Sequence, residues 1–213
     1  VDNNYRSKGL APILISNLRY YGFLNGYNVF IYQKEGKPLP VRSIGLLESN
    51  IYELQNLNLG EIKLETINDT NQKQIYYFFI NNLKKKENYI DFSYIDFIIK
   101  FKNEWTSIYI ESKNNQLINL VILQDNKYSI LNKKVIDMQY IIMDDNLTFE
   151  EKEKFIKKII HISYNNSFKL ICNKNKSNKV FLNDLRPVTN FITYIYLYNY
   201  NLITPVFNHQ FIF

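Results

Sequence analysis

The chain has 213 residues, 46% of them hydrophobic and 16% aromatic, which suffices for the core of one large domain or two small ones and excludes disorder. Its formal charge of +6 is spread over separated groups, Lys84-Lys85-Lys86, Lys133-Lys134 and Lys157-Lys158, each beside acids or apolar residues, so a solvated surface is expected and no nucleic-acid stripe. The single cysteine, Cys172, excludes an intrachain disulfide and fits a reducing compartment, and no apolar run nears the roughly 20 residues of a membrane span.

In chain order, the first signal is Arg6-Ser7-Lys8-Gly9-Leu10-Ala11-Pro12, followed at once by an apolar stretch. Arg6 and Lys8 bring positive charge, while Gly9 and Ala11 leave room for an anion to reach backbone N–H groups. Pro12 suits the first turn of a helix, whose free N–H groups and dipole point at the same place. The segment has the chemistry of a pyrophosphate cradle. A short basic turn before a helix is common, however, and what raises this one above that background is Pro in register with the basic and small residues. Leu10, Ile13, Leu14, Leu18 and Tyr21 then mark one helical face, and Gly22 and Gly26 allow the helix to stop.

Asn28 to Tyr32 reads as a strand ended by the turn Glu35-Gly36-Lys37-Pro38, and Val41 to Leu47 as a second strand. Ile51 to Leu57 predicts a short helix and Ile62 to Ile67 another strand. The polar run from Thr66 to Gln74 is the candidate domain boundary, dividing 1–68 from 69–213. Beyond it, helices are expected over Gln74 to Lys86 and Tyr89 to Lys102. Ser107 to Glu111 and Leu117 to Leu123 flank a polar turn and make a hairpin, and Val135 to Met143 is a strand. Thr148-Phe-Glu-Glu151 has the form of a capping box opening a helix through His161 or Tyr164. Phe168 to Cys172 is a strand, Asn178 to Leu185 a short helix, and Ile192 to Asn199 a long aromatic strand. The class is α+β.

Rival chemistry is thin. His161 sits among isoleucines and reads as a core or boundary histidine, and His209 as a surface residue or an aid to the terminus. Two histidines and one cysteine give no spaced zinc set, so no metal or cofactor is expected. Asp144-Asp145 is better explained by a helix cap than by paired-carboxylate catalysis, and no Ser-His-Asp order or Walker loop is present.

The spacing Arg-x-x-Gly-x-Ala at residues 6–11 resembles the acyl-CoA signature of the GNAT acyltransferases, and the longer string through Ile15 resembles the N-myristoyltransferase family. Further matches follow in order: Gly26 to Tyr32, Pro38 to Val41, Asn178-Lys-Val-Phe-Leu-Asn-Asp-Leu185 and Tyr196-Leu-Tyr-Asn199-Tyr200. The departures fall at Gln33-Lys34-Glu35, near Leu46-Leu47-Glu48 and near Thr189-Asn190-Phe191, all of which correspond to the family's peptide side, so altered peptide specificity is expected. The resemblance implies a GNAT-like mixed sheet with flanking helices, 1–68 supplying the rear of the acyl-CoA-binding half and 69–213 a second, peptide-binding half. It implies transfer of myristoyl from myristoyl-CoA, as co-substrate, to the N-terminal glycine of proteins by a cytoplasmic monomer. Arg6, Ser7, Lys8, Gly9, Leu10, Ala11 and Pro12 would hold the diphosphate, Tyr32, Tyr196 and Asn199 would line the acceptor groove, and the terminal carboxylate of Phe213 would act as base. The alternative is a catalytically inactive relative serving as an interaction module. Residue 1 is Val, and aligned on Arg6 the family's oxyanion-hole amides would precede it, so a fragment or processed product is expected. The wealth of Asn, Ile, Lys and Tyr is that of an AT-rich coding genome, such as a parasite's or a large DNA virus's.

Overall fold

The computed structural model describes residues 10–26, 30–35, 45–62, 64–85, 91–174, 182–198 and 206–207. By its internal contacts the chain forms two units, Val1–Leu46 with Thr193–Val206, and Leu47–Ile192 with Phe207–Phe213.

In the first unit, helix α1 spans Leu10–Leu24. It stops where the sequence allows. Gly26 takes φ +82°, the left-handed conformation that closes helix C-termini and that side chains with a Cβ disfavour. Ile13, Leu14, Leu18 and Tyr21, the periodic apolar face, are each more than half exposed. No described residue covers them. Strand β1, Phe30–Glu35, runs antiparallel to the second half of a long strand numbered β9, Pro187–Tyr198. The turn at 36–38, the segment 39–44 and the matched string 178–181 lie outside the described residues.

The second unit is built on a mixed sheet with helices on both faces. Its strands are β2 (Gly45–Glu53, from Leu47), β3 (Glu65–Thr66), β4 (Thr106–Lys113), β5 (Gln116–Gln124), β6 (Ser129–Ile130), β7 (Lys133–Met143) and β8 (Leu170–Asn173). They lie in the order β2-β8-β7-β5-β4-β3, with β6 on β7. Neighbours along this path are antiparallel except β7 with β8, which are parallel and joined by helix α4, Phe149–Asn165. A parallel pair needs such a crossover. Helices α2 (Gln72–Leu83) and α3 (Tyr94–Phe101) complete the set.

The alternation of β5 explains the layering. Leu120 and Ile122 pack with Phe79, Phe97 and Phe101 of α2 and α3, while Val121 and Leu123 pack with Phe155, Ile156 and Ile159 of α4. Successive strand residues point to opposite faces, so a strand that is apolar at every position must be covered on both.

Local signals fall where the sequence puts them. Asn114 and Asn115, at φ 53° and 60°, form the two-residue turn between β4 and β5. Thr148 accepts a hydrogen bond from the Glu151 amide (3.2 Å), and the Glu151 carboxylate accepts one from the Thr148 amide (2.9 Å). Ser93 and Asp96 form a second capping box, which starts α3 five residues later than the sequence predicts.

The helix predicted over Ile51 to Leu57 is not formed. Residues Ile51 to Glu53 continue β2, pairing in register from Asn50↔Asn173 to Glu53↔Leu170. Ile51 joins Val135, Leu170 and Cys172 in one cluster, whereas Tyr52 joins the α4 cluster. Adjacent apolar residues serving opposite faces are possible on a strand and not on one helical stripe.

Candidate acyl-CoA and acceptor site

Helix α1 begins at Leu10, two residues before Pro12, so Leu10 and Ala11 belong to its first turn rather than to the preceding loop. Pro12 is the third helical residue. Its missing N–H would have had no intrahelical partner there, so the helix tolerates it, and the amides of Leu10 and Ala11 have no intrahelical acceptor either. The first turn contains no acid. Nothing on the helix itself therefore offsets the positive end of its dipole, and an anion is the species that this terminus favours. Arg6, Ser7, Lys8 and Gly9 lie outside the described residues, as do Asn199 and the base candidate Phe213.

The structure brings two of the sequence-derived residues together. Tyr32 of β1 and Tyr196 of β9 are direct partners across the antiparallel ladder. Their neighbours in register are Phe30↔Tyr198 and Lys34↔Tyr194. Sequence reasoning missed this array, although a signal was present: Tyr194, Tyr196 and Tyr198 alternate with Thr193, Ile195 and Leu197 at the period of a strand.

Other titratable clusters are structural. Asp137, 3% exposed, accepts hydrogen bonds from the Tyr128 hydroxyl (2.6 Å) and Asn126 Nδ2 (2.6 Å), with Lys174 Nζ at 3.5 Å. These bonds fasten the segment between β5 and β7 onto the sheet. Burial, reinforced by the Asp137 charge, pushes the neighbouring Cys172 thiol up to about 12, which makes it inert at neutral pH. His161 is buried, with Nε2 3.0 Å from the Gly60 carbonyl and 3.0 Å from Asn165 Nδ2. It ties α4 to the segment after β2, the role of a core or boundary histidine. Asp144 accepts from the Asn146 amide at 2.8 Å and forms the turn leading into Thr148. Among the described residues no group of three or more His, Cys, Asp or Glu could hold a metal ion, and no helix is long and apolar enough to cross a membrane.

The chain matches no family model. Its sequence is 26% identical over 185 residues to a Melanoplus sanguinipes entomopoxvirus protein provisionally named glycylpeptide N-tetradecanoyltransferase, covering 81% of this chain and 58% of that one. Saccharomyces cerevisiae N-myristoyltransferase with bound myristoyl-CoA superposes with a TM-score of 0.76 at 16% identity, covering 98% of this chain and 59% of the yeast chain. A GCN5-related N-acetyltransferase from Kribbella flavida superposes with a TM-score of 0.54 at 8% identity, over 92% of this chain and 49% of that one. The chain thus spans about three fifths of the length of these N-myristoyltransferase relatives. It carries the N-myristoyltransferase fold, a GNAT-like α+β architecture, and its sequence is similar to that of a viral protein named for the same reaction.

Proposed function

We propose that this protein is an N-myristoyltransferase-like acyltransferase, moving a myristoyl group from myristoyl-CoA to the N-terminal glycine of a polypeptide. The observation that carries the reading is the likeness to N-myristoyltransferase over 98% of the chain, joined to the sequence similarity with the viral relative. In this reading residues 1–68 belong to the acyl-CoA half and 69–213 to the peptide half, and the protein works as a cytoplasmic monomer. Arg6 and Lys8, with the backbone of Ser7, Gly9, Leu10 and Ala11 and the α1 terminus at Pro12, hold the CoA diphosphate by charge-assisted hydrogen bonds. Tyr32, Tyr196 and Asn199 line the acceptor groove.

The reaction requires a neutral amine. The terminal carboxylate of Phe213 takes a proton from the glycine ammonium, the amine nitrogen attacks the thioester carbonyl carbon, and the tetrahedral adduct collapses. A C–N bond forms, the C–S bond breaks, and the sulfur leaves as the CoA thiol once protonated. Because the base is a backbone terminus, its position matters and the identity of the Phe213 side chain does not.

The test is transfer from myristoyl-CoA to a Gly-initiated peptide by the full-length natural protein. Lys8→Glu should weaken myristoyl-CoA binding at least tenfold by calorimetry, because a charge-assisted contact contributes roughly 1.5–3 kcal/mol. A few residues added after Phe213 should abolish transfer while leaving that binding intact, and Phe213→Leu should be tolerated. Unchanged binding in Lys8→Glu would reduce the basic turn to a helix start. Full activity of the extended protein would remove Phe213 from the mechanism, and binding without transfer in the unmodified protein would mark an inactive relative.

A further inference from the structure

The hairpin of β6 and β7 ends in a turn that neither stability nor solubility explains. Leu131 and Asn132 form it, with φ of 51° and 60°. Asparagine tolerates this left-handed conformation, whereas leucine there brings its Cβ too close to the following carbonyl oxygen. The same leucine is 79% exposed, the most open large apolar side chain among the described residues. A strained backbone thus holds an apolar side chain out in water.

Around this tip the fold gathers cations that lie far apart in sequence. β7 and β8 start, and β2 ends, at one end of the sheet. There the Lys134 carbonyl accepts a hydrogen bond from the Lys169 amide (3.1 Å), and the Arg186 carbonyl accepts one from the Glu53 amide (2.9 Å). Where β4 starts and β5 ends, the Trp105 carbonyl accepts from the Asp125 amide (2.8 Å), and Lys127 Nζ lies 4.4 Å from the centre of the Trp105 ring. Lys127, Lys133, Lys134, Lys169 and Arg186 therefore share this end with Trp105, which is 44% exposed. The acids in ion-pair contact with them are Glu53, shared by Lys133 and Arg186, and Asp125, held by Lys127 at 2.7 Å. Positive charge is in excess.

Hydrocarbon is what a strained, solvated leucine lacks. An indole, apolar but for its N–H, suits the headgroup level of a bilayer, and ammonium and guanidinium groups are drawn by the surface potential of acidic lipids. A nucleic acid would satisfy the cations and leave Leu131 in water. We propose that this end of the second unit docks on an anionic lipid bilayer, with Leu131 inserted at the acyl boundary, Trp105 at the headgroups and the five cations against lipid phosphates and carboxylates. The inference goes beyond the acyltransferase reading and does not depend on it.

The experiment is co-sedimentation of the full-length natural protein with vesicles of phosphatidylcholine, either pure or with roughly a third phosphatidylserine. At about 50 mM salt the protein should bind the phosphatidylserine vesicles and not the pure ones, and binding should weaken at about 500 mM. Leu131→Asn is the decisive variant, because asparagine suits the left-handed turn and keeps the hairpin while the apolar contact is lost. It should lower vesicle affinity about tenfold, and Lys134→Gln about fivefold, with the urea midpoint checking that both fold. Transfer to a soluble Gly-initiated peptide should be unchanged in Leu131→Asn, so membrane binding and activity are read separately. Trp105 fluorescence, isolated as the difference from Trp105→Phe, should shift to the blue on binding. Absence of binding to phosphatidylserine vesicles overturns the inference, as does binding that Leu131→Asn leaves unchanged. A single-stranded RNA bound more tightly than the vesicles, with sensitivity to Lys134→Gln and none to Leu131→Asn, would assign this end to nucleic acid instead.

Discussion

Tyr140 on β7 offers a prediction whose sign is unusual, because removing a polar group there should stabilise the protein. Its ring packs edge-on against Phe79 (5.0 Å between centroids) and Phe101 (5.6 Å), and the residue is 4% exposed, yet its hydroxyl has no hydrogen-bond partner among the described residues. A buried, unpaired hydroxyl costs about 1–3 kcal/mol of desolvation. Tyr140→Phe keeps every ring contact and vacates on the order of 10 Å³, a loss of only about 0.2 kcal/mol at the measured cost of cavity volume. The net gain should be about 1–2 kcal/mol at pH 7, read as an increase in the urea midpoint at constant slope. The effect should grow with alkali. Burial raises the Tyr140 phenol above its ordinary value near 10, so the unfolded chain loses that proton first. Stability from this group is therefore complete below about pH 10 and is lost as pH rises toward the folded value, with a slope approaching 1.4 kcal/mol per pH unit. Phenylalanine cannot titrate, so the gap between variant and wild type should widen between pH 9 and pH 11. A variant less stable at pH 7, or a gap that stays flat with pH, would refute the unpaired hydroxyl.

Three further expectations concern the second unit. Thr148→Ala removes the acceptor from the α4 capping box and should cost about 1 kcal/mol in urea unfolding; no loss would mean that the helix start is held by other contacts. The hydrogen bond from the Thr148 amide, aided by Lys113, holds the Glu151 carboxyl below its usual range, so its contribution is present above about pH 4.5 and is lost as pH falls through the folded value. Glu151→Gln should accordingly flatten the acid limb of the stability profile, and an unchanged acid limb would contradict that pairing. Cys172, with its thiol pushed up to about 12 and no exposed surface, should resist alkylation by iodoacetamide at pH 8 in the native protein and react in denaturant. Rapid native labelling would show that β8 opens.

What the sequence determined by itself was local in origin. The capping box of Thr148 and Glu151 closes within four residues, and the Asn114-Asn115 turn needs only two residues that tolerate positive φ, so both act before any distant contact exists. The end of α1 near Gly26 is of the same kind, as is the order of β5, β7, α4 and β8. Of the segment Arg6 to Pro12, the helical part from Leu10 is formed, again a local outcome, since Pro12 is tolerated in a first turn.

Tertiary structure decided what depends on partners remote in sequence. Ile51 and Tyr52 have apolar side chains that would suit a helix or a strand, and pairing with Cys172 and Ile171 on β8 settles them as strand by giving each a different core. The same holds for the pairing of β1 with β9. Tyr32 and Tyr196 could be singled out individually, but that they are register partners, as Lys34 and Tyr194 are, follows from the β1–β9 pairing. A shift of that register by a single residue would set Tyr32 against Ile195 or Leu197 instead of Tyr196. Composition is identical in both registers, and only the folded pairing distinguishes them.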